Sequence, residues 1–222
     1  MNHANNKLKI LGLAYILCVS FTVTAQDFTY GAKAGLNIAE LKFDDNSTMK
    51  SLIGVHAGLF GNYAINEKFA IQPELFFSTG GSKYSYNYIV AMAADVEMRN
   101  TATTASYEAS GKIKTSYITL PVMLQFKIID ALYIEAGPQY NFLLSIKESF
   151  NDSPEEDIKE YYKTGTFGFG VGIGYDLTAF VPGLKIGVRY TGDLSDMNKE
   201  EVGAGNIKSQ MFQVGVSYGF SK

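Results

Sequence analysis

The chain lacks tryptophan and has only one cysteine and two histidines among its 222 residues. Cys18 and His3 both lie ahead of residue 26. If that segment is removed, the remaining chain can form no intramolecular disulfide and offers no cysteine ligand for a metal. His56 is then the only imidazole, so little material remains for a catalytic base beside a nucleophile. We therefore expect no metal, no cofactor and no enzymatic activity.

Long hydrophobic runs are absent beyond the amino-terminal segment. There, Lys7 and Lys9 stand at the start of an apolar run from Leu8 to Val23, and small residues follow up to Ala25. This order predicts a secretory signal peptide over residues 1–25, with a mature domain over residues 26–222. A membrane-anchoring helix is the alternative, but the run is short and lacks a basic stop.

A marked excess of either charge is also missing, since the formal net charge is −3 at pH 7. Loss of Lys7 and Lys9 with the signal peptide would make the mature chain somewhat more acidic. Nucleic acid binding requires basic patches, and this balance does not indicate any. We expect no nucleic acid partner.

The chain does have a strict alternation of apolar and small or polar residues, which is clearest near its carboxyl end. From residue 210 to residue 220 the apolar residues are Phe212, Val214, Val216, Tyr218 and Phe220. Side chains alternate faces in a strand, and about 9–11 tilted residues cross a bilayer. The same period predicts seven earlier strands, at about residues 28–38, 53–65, 69–77, 118–128, 132–144, 167–177 and 184–190.

The connections between these strands alternate in length. Residues 66–68, 129–131 and 182–183 form short turns, whereas residues 39–52, 82–116, 147–163 and 192–208 form long loops. Short turns on one side and long loops on the other are typical of bacterial outer-membrane barrels. We predict an all-β fold, an eight-stranded antiparallel up-and-down transmembrane β-barrel, with both termini in the periplasm.

A soluble eight-stranded barrel with its apolar face inward is the alternative architecture. Its other face would then meet water and should be rich in charge. The predicted sixth strand instead presents glycines on that face, at Gly168, Gly170, Gly172 and Gly174. Small residues suit the crowded interior of a narrow barrel and favour the membrane protein.

Four charged residues fall on the predicted lumen face: Lys33, Glu74, Glu135 and Arg189. They lie at similar distances from the periplasmic ends of their strands and could share one layer. Two positive and two negative charges would then compensate one another, because a lone buried charge is costly. We hypothesise that they plug the barrel. The alternative is that each neutralises only its local neighbours.

The long loops would carry any recognition function. Residues 153–157 read Ser-Pro-Glu-Glu-Asp, which predicts the start of a short helix through about Tyr162. Its acidic residues could bind divalent cations that bridge lipopolysaccharide, although a solvated loop explains them more simply. Tyr84 and Tyr86, in the second long loop, indicate either anchoring at the membrane surface or strands that extend above it.

Several phrases resemble the outer-membrane β-barrel proteins of the porin-like, PorT-like group, similar in architecture to the OmpA membrane domain. These phrases are residues 30–37 (YGAKAGLN), 71–75 (IQPEL), 117–122 (YITLPV) and 136–138 (AGP). The resemblance also implies a carboxyl-terminal signal for the barrel-assembly machinery at Gln213, Gly215, Tyr218 and Phe220, although Ser221 and Lys222 extend beyond it.

Taken with the resemblance, these features predict a monomer in the bacterial outer membrane that contacts outer-membrane lipid and lipopolysaccharide. Its expected role is membrane integrity or binding through the extracellular loops. Two alternatives remain open: a narrow porin-like channel for small solutes or ions, and an accessory component of an outer-membrane secretion machine.

Overall fold

Antiparallel strands make up nearly all of the computed structural model, which describes residues 28–43, 49–92, 103–151, 153–199 and 206–220. The strands are β1 (Phe28–Phe43), β2 (Met49–Ala64), β3 (Phe69–Met92), β4 (Thr103–Ile129), β5 (Leu132–Phe150), β6 (Glu156–Asp157), β7 (Gly165–Asp176), β8 (Leu184–Asp193) and β9 (Ile207–Phe220). A 3-10 turn spans Lys159–Tyr161. None of the described helical residues forms a helix long and apolar enough to span a membrane. The predicted signal peptide lies outside the described residues and stays a prediction.

Eight of the strands close into a barrel. Each long strand pairs with the long strands that precede and follow it in the chain, and every pairing is antiparallel. The short β6 lies between β5 and β7 in sequence, but β5 and β7 pair directly. The first and last strands also pair, with Tyr30 opposite Phe220 and Gly35 opposite Gly215. This closure removes every free edge of the barrel sheet. The predicted eight-stranded up-and-down barrel is confirmed.

The two faces of each barrel strand differ as the alternation predicts. On β1, the side chains of Leu36 and Ile38 are 56% and 47% exposed on the outside, whereas Asn37 between them is fully buried in the lumen. The same contrast recurs on β9, where Val214 and Val216 are half exposed. A continuous apolar outer surface of this size is what a barrel presents to lipid.

The strands continue well above the predicted bilayer segments. β3 runs to Met92 and β4 starts at Thr103, so most of the predicted loop 82–116 is a paired hairpin. Serine, threonine, tyrosine and lysine residues interrupt the apolar alternation in this part of the sequence, so the alternation does not detect the extension. Tyr84 lies on the extension and donates a hydrogen bond of 2.5 Å to Glu148 of β5. Of the two explanations for the tyrosines, the extended strands are what the structure shows.

The helix predicted from Ser153 to Tyr162 is wrong. Glu156 and Asp157 instead form β6, which pairs with Lys147 and Glu148 beside the upper end of β5. The Asp157 carboxylate accepts a hydrogen bond of 2.9 Å from the backbone N–H of Lys159. The acidic residue thus stabilises a single 3-10 turn after a strand rather than the first turn of an α-helix.

Candidate functional site

The four charged side chains predicted on the lumen face lie together near the middle of the barrel. The Arg189 guanidinium donates two hydrogen bonds to the Glu74 carboxylate, at 2.5 and 2.9 Å, and one through Nε to Glu135 at 2.8 Å. The Lys33 Nζ atom lies 3.6 Å from Glu74 and 4.0 Å from Glu135. Arg189, Glu74 and Glu135 are each less than one tenth exposed. We call these four residues the ion cluster.

Strand β7 lies between the strands that carry Glu135 and Arg189, and its glycines allow these two side chains to contact each other over it. Gly172 is the direct neighbour of Glu135 on one side and of Arg189 on the other. A Cβ atom at Gly172 would lie 3.1 Å from the Glu135 Oε1 atom and 2.8 Å from the Val188 carbonyl oxygen. The bare backbone of this strand is therefore covered by the side chains of its neighbours. The glycines do not leave open space at this level.

Amide side chains satisfy the remaining acceptors of the ion cluster. Gln72 donates to Glu74 at 2.6 Å, and Gln125 donates to Glu135 at 3.1 Å. Asn62 joins them by donating to the oxygens of both glutamines, at 3.0 and 2.8 Å. Sequence analysis missed these amides, although their position on the lumen face next to a charge was a usable signal. A buried charge requires such partners.

Asn37 connects four strands one layer above the ion cluster. Its Nδ2 atom lies 2.9 Å from the Ser78 hydroxyl and 2.8 and 3.1 Å from the carbonyl oxygens of Thr79 and Val55. Its Oδ1 atom is 2.7 Å from His56 Nδ1 and accepts a hydrogen bond from Gln213 at 3.1 Å. Asn37 thereby joins β1, β2, β3 and β9 at a level where β2 and β3 shift register.

The residues of the predicted assembly signal divide between the two faces of β9. Gln213 faces the lumen and reaches Asn37. The His56 ring covers Gly215, whose Cβ atom, if present, would lie 3.1 Å from the His56 Nε2 atom. Tyr218 and Phe220 point outward, 46% and 42% exposed. Their role in assembly stays a prediction.

An apolar cluster closes the outer part of the lumen. Two of its members, Tyr162 and Met197, come from the segments before β7 and after β8 rather than from barrel strands, and an isolated bridge joins Tyr162 to Asn198. The outer cluster consists of Ala39, Leu41, Ile113, Tyr117, Leu143, Ile146, Tyr162, Met197, Ile207 and Met211. Sequence analysis did not predict it.

An enclosed cavity of about 20 Å³ separates the outer cluster from the ion cluster. Phe76, Asn141, Asp193 and Gln213 are among the residues that line it. That volume is enough for about one water molecule. The lumen is therefore filled by the protein's own side chains along the part of the chain that the structure describes.

The family of the chain follows from comparison with known proteins. The family model described as outer membrane protein beta-barrel domain matches residues 24–199. The chain belongs to this family. No curated protein matches the chain.

Solved structures of other outer-membrane proteins resemble this outer membrane beta-barrel domain. Ail, the attachment invasion locus protein of Yersinia pestis, is 15% identical with a TM-score of 0.48, over 88% of this chain and 100% of that chain. Neisserial surface protein A is 15% identical with a TM-score of 0.47, over 85% and 96%. OprG from Pseudomonas aeruginosa is 13% identical with a TM-score of 0.37, over 88% and 96%.

Membership of the outer membrane beta-barrel domain family assigns the chain to the bacterial outer membrane. In barrels of this kind the exposed apolar face contacts lipid, the short turns lie in the periplasm, and the long extensions lie outside the cell. Phe69 and Phe126 pack together near the periplasmic end with their ring centroids 5.0 Å apart, as do Tyr30 and Phe220 at 5.6 Å. Aromatic rings at this level are typical of the interfacial girdle.

The acidic residues between β5 and β7 are partly paired with lysines. The Lys114 ammonium donates a hydrogen bond of 2.5 Å to Glu155, and Lys147 lies 3.9 Å from the same carboxylate. The hydrogen bond from Lys114 keeps the pKa of Glu155 below its ordinary value. Among the described residues, no group of three or more histidine, cysteine, aspartate or glutamate side chains is placed to hold a metal ion.

Proposed function

We propose that this outer-membrane barrel is closed to solutes and serves membrane integrity or binding at its extracellular face, without catalysis. The observation that carries the proposal is the filled lumen. Eight strands enclose an interior just wide enough for side chains, and here those side chains are paired or packed against each other. The extracellular extensions remain as the surface available for recognition.

The layers of the lumen support closure along the whole path. A space of about 230 Å³ opens at the periplasmic mouth and reaches Asn62 and Gln125. Beyond these amides lie the ion cluster, the 20 Å³ cavity and the outer cluster. A hydrated ion would have to displace both the Arg189 hydrogen bonds and the apolar side chains at the outer mouth.

The setting of His56 supports a role without catalysis. It is 2% exposed, and its Nδ1 atom is engaged with Asn37. A general base has to reach the group that it deprotonates, and a buried ring inside a filled lumen has no such access. The histidine is better explained as a structural partner of Asn37 and as the cover over Gly35 and Gly215.

We also propose that a cleaved signal peptide over residues 1–25 directs export, that the barrel-assembly machinery recognises the end of β9, and that the folded protein is a monomer in contact with lipid and lipopolysaccharide. The complete β1–β9 pairing supports a monomer, because the barrel needs no partner strand. An accessory role in a secretion machine is supported by the PorT-like resemblance alone.

Planar-bilayer recording of the purified protein tests closure. In roughly 1 M KCl, we expect no steady conductance above that of the bare bilayer. Opening a path would require charged residues to leave their partners in the lumen, which is energetically costly. An ohmic conductance that scales with the number of inserted molecules would contradict closure and would favour the narrow channel. A deletion strain scored for permeability, adhesion and secreted protein then separates integrity, binding and secretion.

A further inference from the structure

Three lysines lie side by side on the extracellular extension of the barrel. Lys50 of β2 is directly opposite Lys83 of β3, which is directly opposite Lys112 of β4. Directly opposed residues have Cβ atoms roughly 5 Å apart, and like charges at that separation destabilise a sheet. We call these three residues the lysine row.

The lysine row is less compensated than a neighbouring pair of opposed lysines. In the described ranges, none of the three ammonium groups forms an ion pair. The neighbouring pair Lys114 and Lys147 is also directly opposed, but Glu155 contacts both of its members. Among the described residues, the Glu155 carboxylate contacts both members of the pair Lys114 and Lys147, whereas of the adjacent row only Lys112 feels its field, at longer range. This difference favours an external anion at the row.

The row points away from the lumen. Ser82, which precedes Lys83, is fully buried and its hydroxyl accepts a hydrogen bond from the backbone of Leu41. Ile113, which follows Lys112, belongs to the outer cluster. Because successive side chains of a strand alternate faces, Lys83 and Lys112 face outward, on the same side as the lipid-facing residues below them.

The height of the row places it outside the hydrocarbon core of the bilayer. Phe77, 43% exposed, is the last large apolar residue before Lys83 on the outer face of β3, and Lys83 comes six residues later on the same strand. At about 3.3 Å per residue and a tilt of about 40°, the row lies roughly 15 Å above Phe77 along the barrel axis. That level lies outside the hydrocarbon core, on the polar side of the outer leaflet.

A groove of about 310 Å³ accompanies the row, and the hydroxyl-bearing residues Ser85, Ser110 and Ser149 line it together with the three lysines. Clustered ammonium groups and hydroxyls are ligands for phosphate. We propose that the lysine row binds the phosphate groups of lipopolysaccharide in the outer leaflet. This inference rests on the proposed function only for the placement of the extension outside the cell.

Native mass spectrometry of the full barrel in detergent micelles with EDTA tests the proposal, with bis-phosphorylated lipid A as the probe. We expect the wild type to bind this lipid at least about tenfold more tightly than dephosphorylated lipid A, because each lysine near an anionic surface contributes appreciably. The triple variant Lys50→Gln, Lys83→Gln, Lys112→Gln should lose that preference. Binding by the triple variant equal to that of the wild type would overturn the proposal.

The matched control is the triple variant Lys68→Gln, Lys127→Gln, Lys185→Gln, which makes the same charge change at the periplasmic end. Its affinity for lipid A should be within about twofold of that of the wild type. Salt screens the attraction between these distant lysines and a phosphate bound at the lysine row. An equal loss in both triple variants, or equal displacement of lipid A by inorganic phosphate at the same concentration, would also contradict a headgroup site. Neither result bears on closure of the lumen, which the bilayer recording tests separately.

Discussion

Replacing Arg189 with methionine is expected to lower the free energy of unfolding of this barrel by about 3–5 kcal/mol. The change removes the hydrogen bonds to Glu74 and Glu135 and leaves two buried carboxylates facing a single lysine. Urea titration of the barrel folded in phospholipid vesicles, followed by far-UV circular dichroism and by the heat-modifiable band on gels, measures the loss.

A second substitution shows whether the charge imbalance causes that loss. The double variant Arg189→Met, Glu135→Gln keeps Lys33 within 3.6 Å of Glu74 and restores neutrality. It should recover at least about half of the lost stability. Lys185→Gln, which breaks the more exposed pair with Asp176, should cost no more than about 1 kcal/mol. A loss of less than about 1 kcal/mol for Arg189→Met would refute the ion cluster as a stabilising plug.

Replacing Leu41 with alanine is expected to cost about 3–5 kcal/mol, clearly more than the same replacement of Leu36 on the same strand. Leu41 is fully buried in the outer cluster, whereas Leu36 is 56% exposed on the lipid face. Both variants lose the transfer of a leucine side chain from water, worth about 1–2 kcal/mol after allowance for the alanine that remains. Only Leu41→Ala also leaves a cavity, because lipid can fill the space beside residue 36.

The same vesicle titration measures the Leu41 and Leu36 variants side by side. Unfolding slopes should be the same in both, since neither change alters the surface exposed on unfolding by much. Equal losses would contradict the assignment of Leu41 to a packed interior. A larger loss for Leu36→Ala would reverse the two faces of β1.

The barrel could be predicted from sequence because lipid imposes one simple rule on every spanning strand. Val214 and Val216 must be apolar where they face the bilayer, and Gly215 between them must be small or polar to fit the lumen. That rule also identifies the charges of the ion cluster, since Lys33 and Arg189 each occupy the lumen phase of an otherwise apolar strand.

The rule does not extend above the bilayer, and the predictions fail there. In β5 the register against β4 shifts between Ser145 and Leu143, so Ile146 is buried although it continues the outward series that includes Leu144. Tyr162 and Met197 reach the outer cluster only because their segments fold back over the mouth. A local pattern carries no information about either event, since both depend on contacts between residues far apart in the chain.

The lysine row shows a similar limit. Lys50, Lys83 and Lys112 are widely separated in sequence, and only the registers of β2, β3 and β4 bring them opposite one another. Their positions in the sequence do not form a recognisable motif. The asymmetry between this row and the Glu155-neutralised pair becomes visible only when neighbouring strands are aligned.

The central claim is that the apolar face of each strand meets lipid while the opposite face fills the lumen, and adjacent phenylalanines on β3 test it most directly. Phe76 is 2% exposed and Phe77 is 43% exposed. Because the chain has no tryptophan, Phe76→Trp and Phe77→Trp each introduce a single fluorophore. In vesicles of brominated lipid, we predict strong quenching of the residue 77 tryptophan and little quenching of the residue 76 tryptophan. Equal quenching of the two, or stronger quenching at residue 76, would contradict the account.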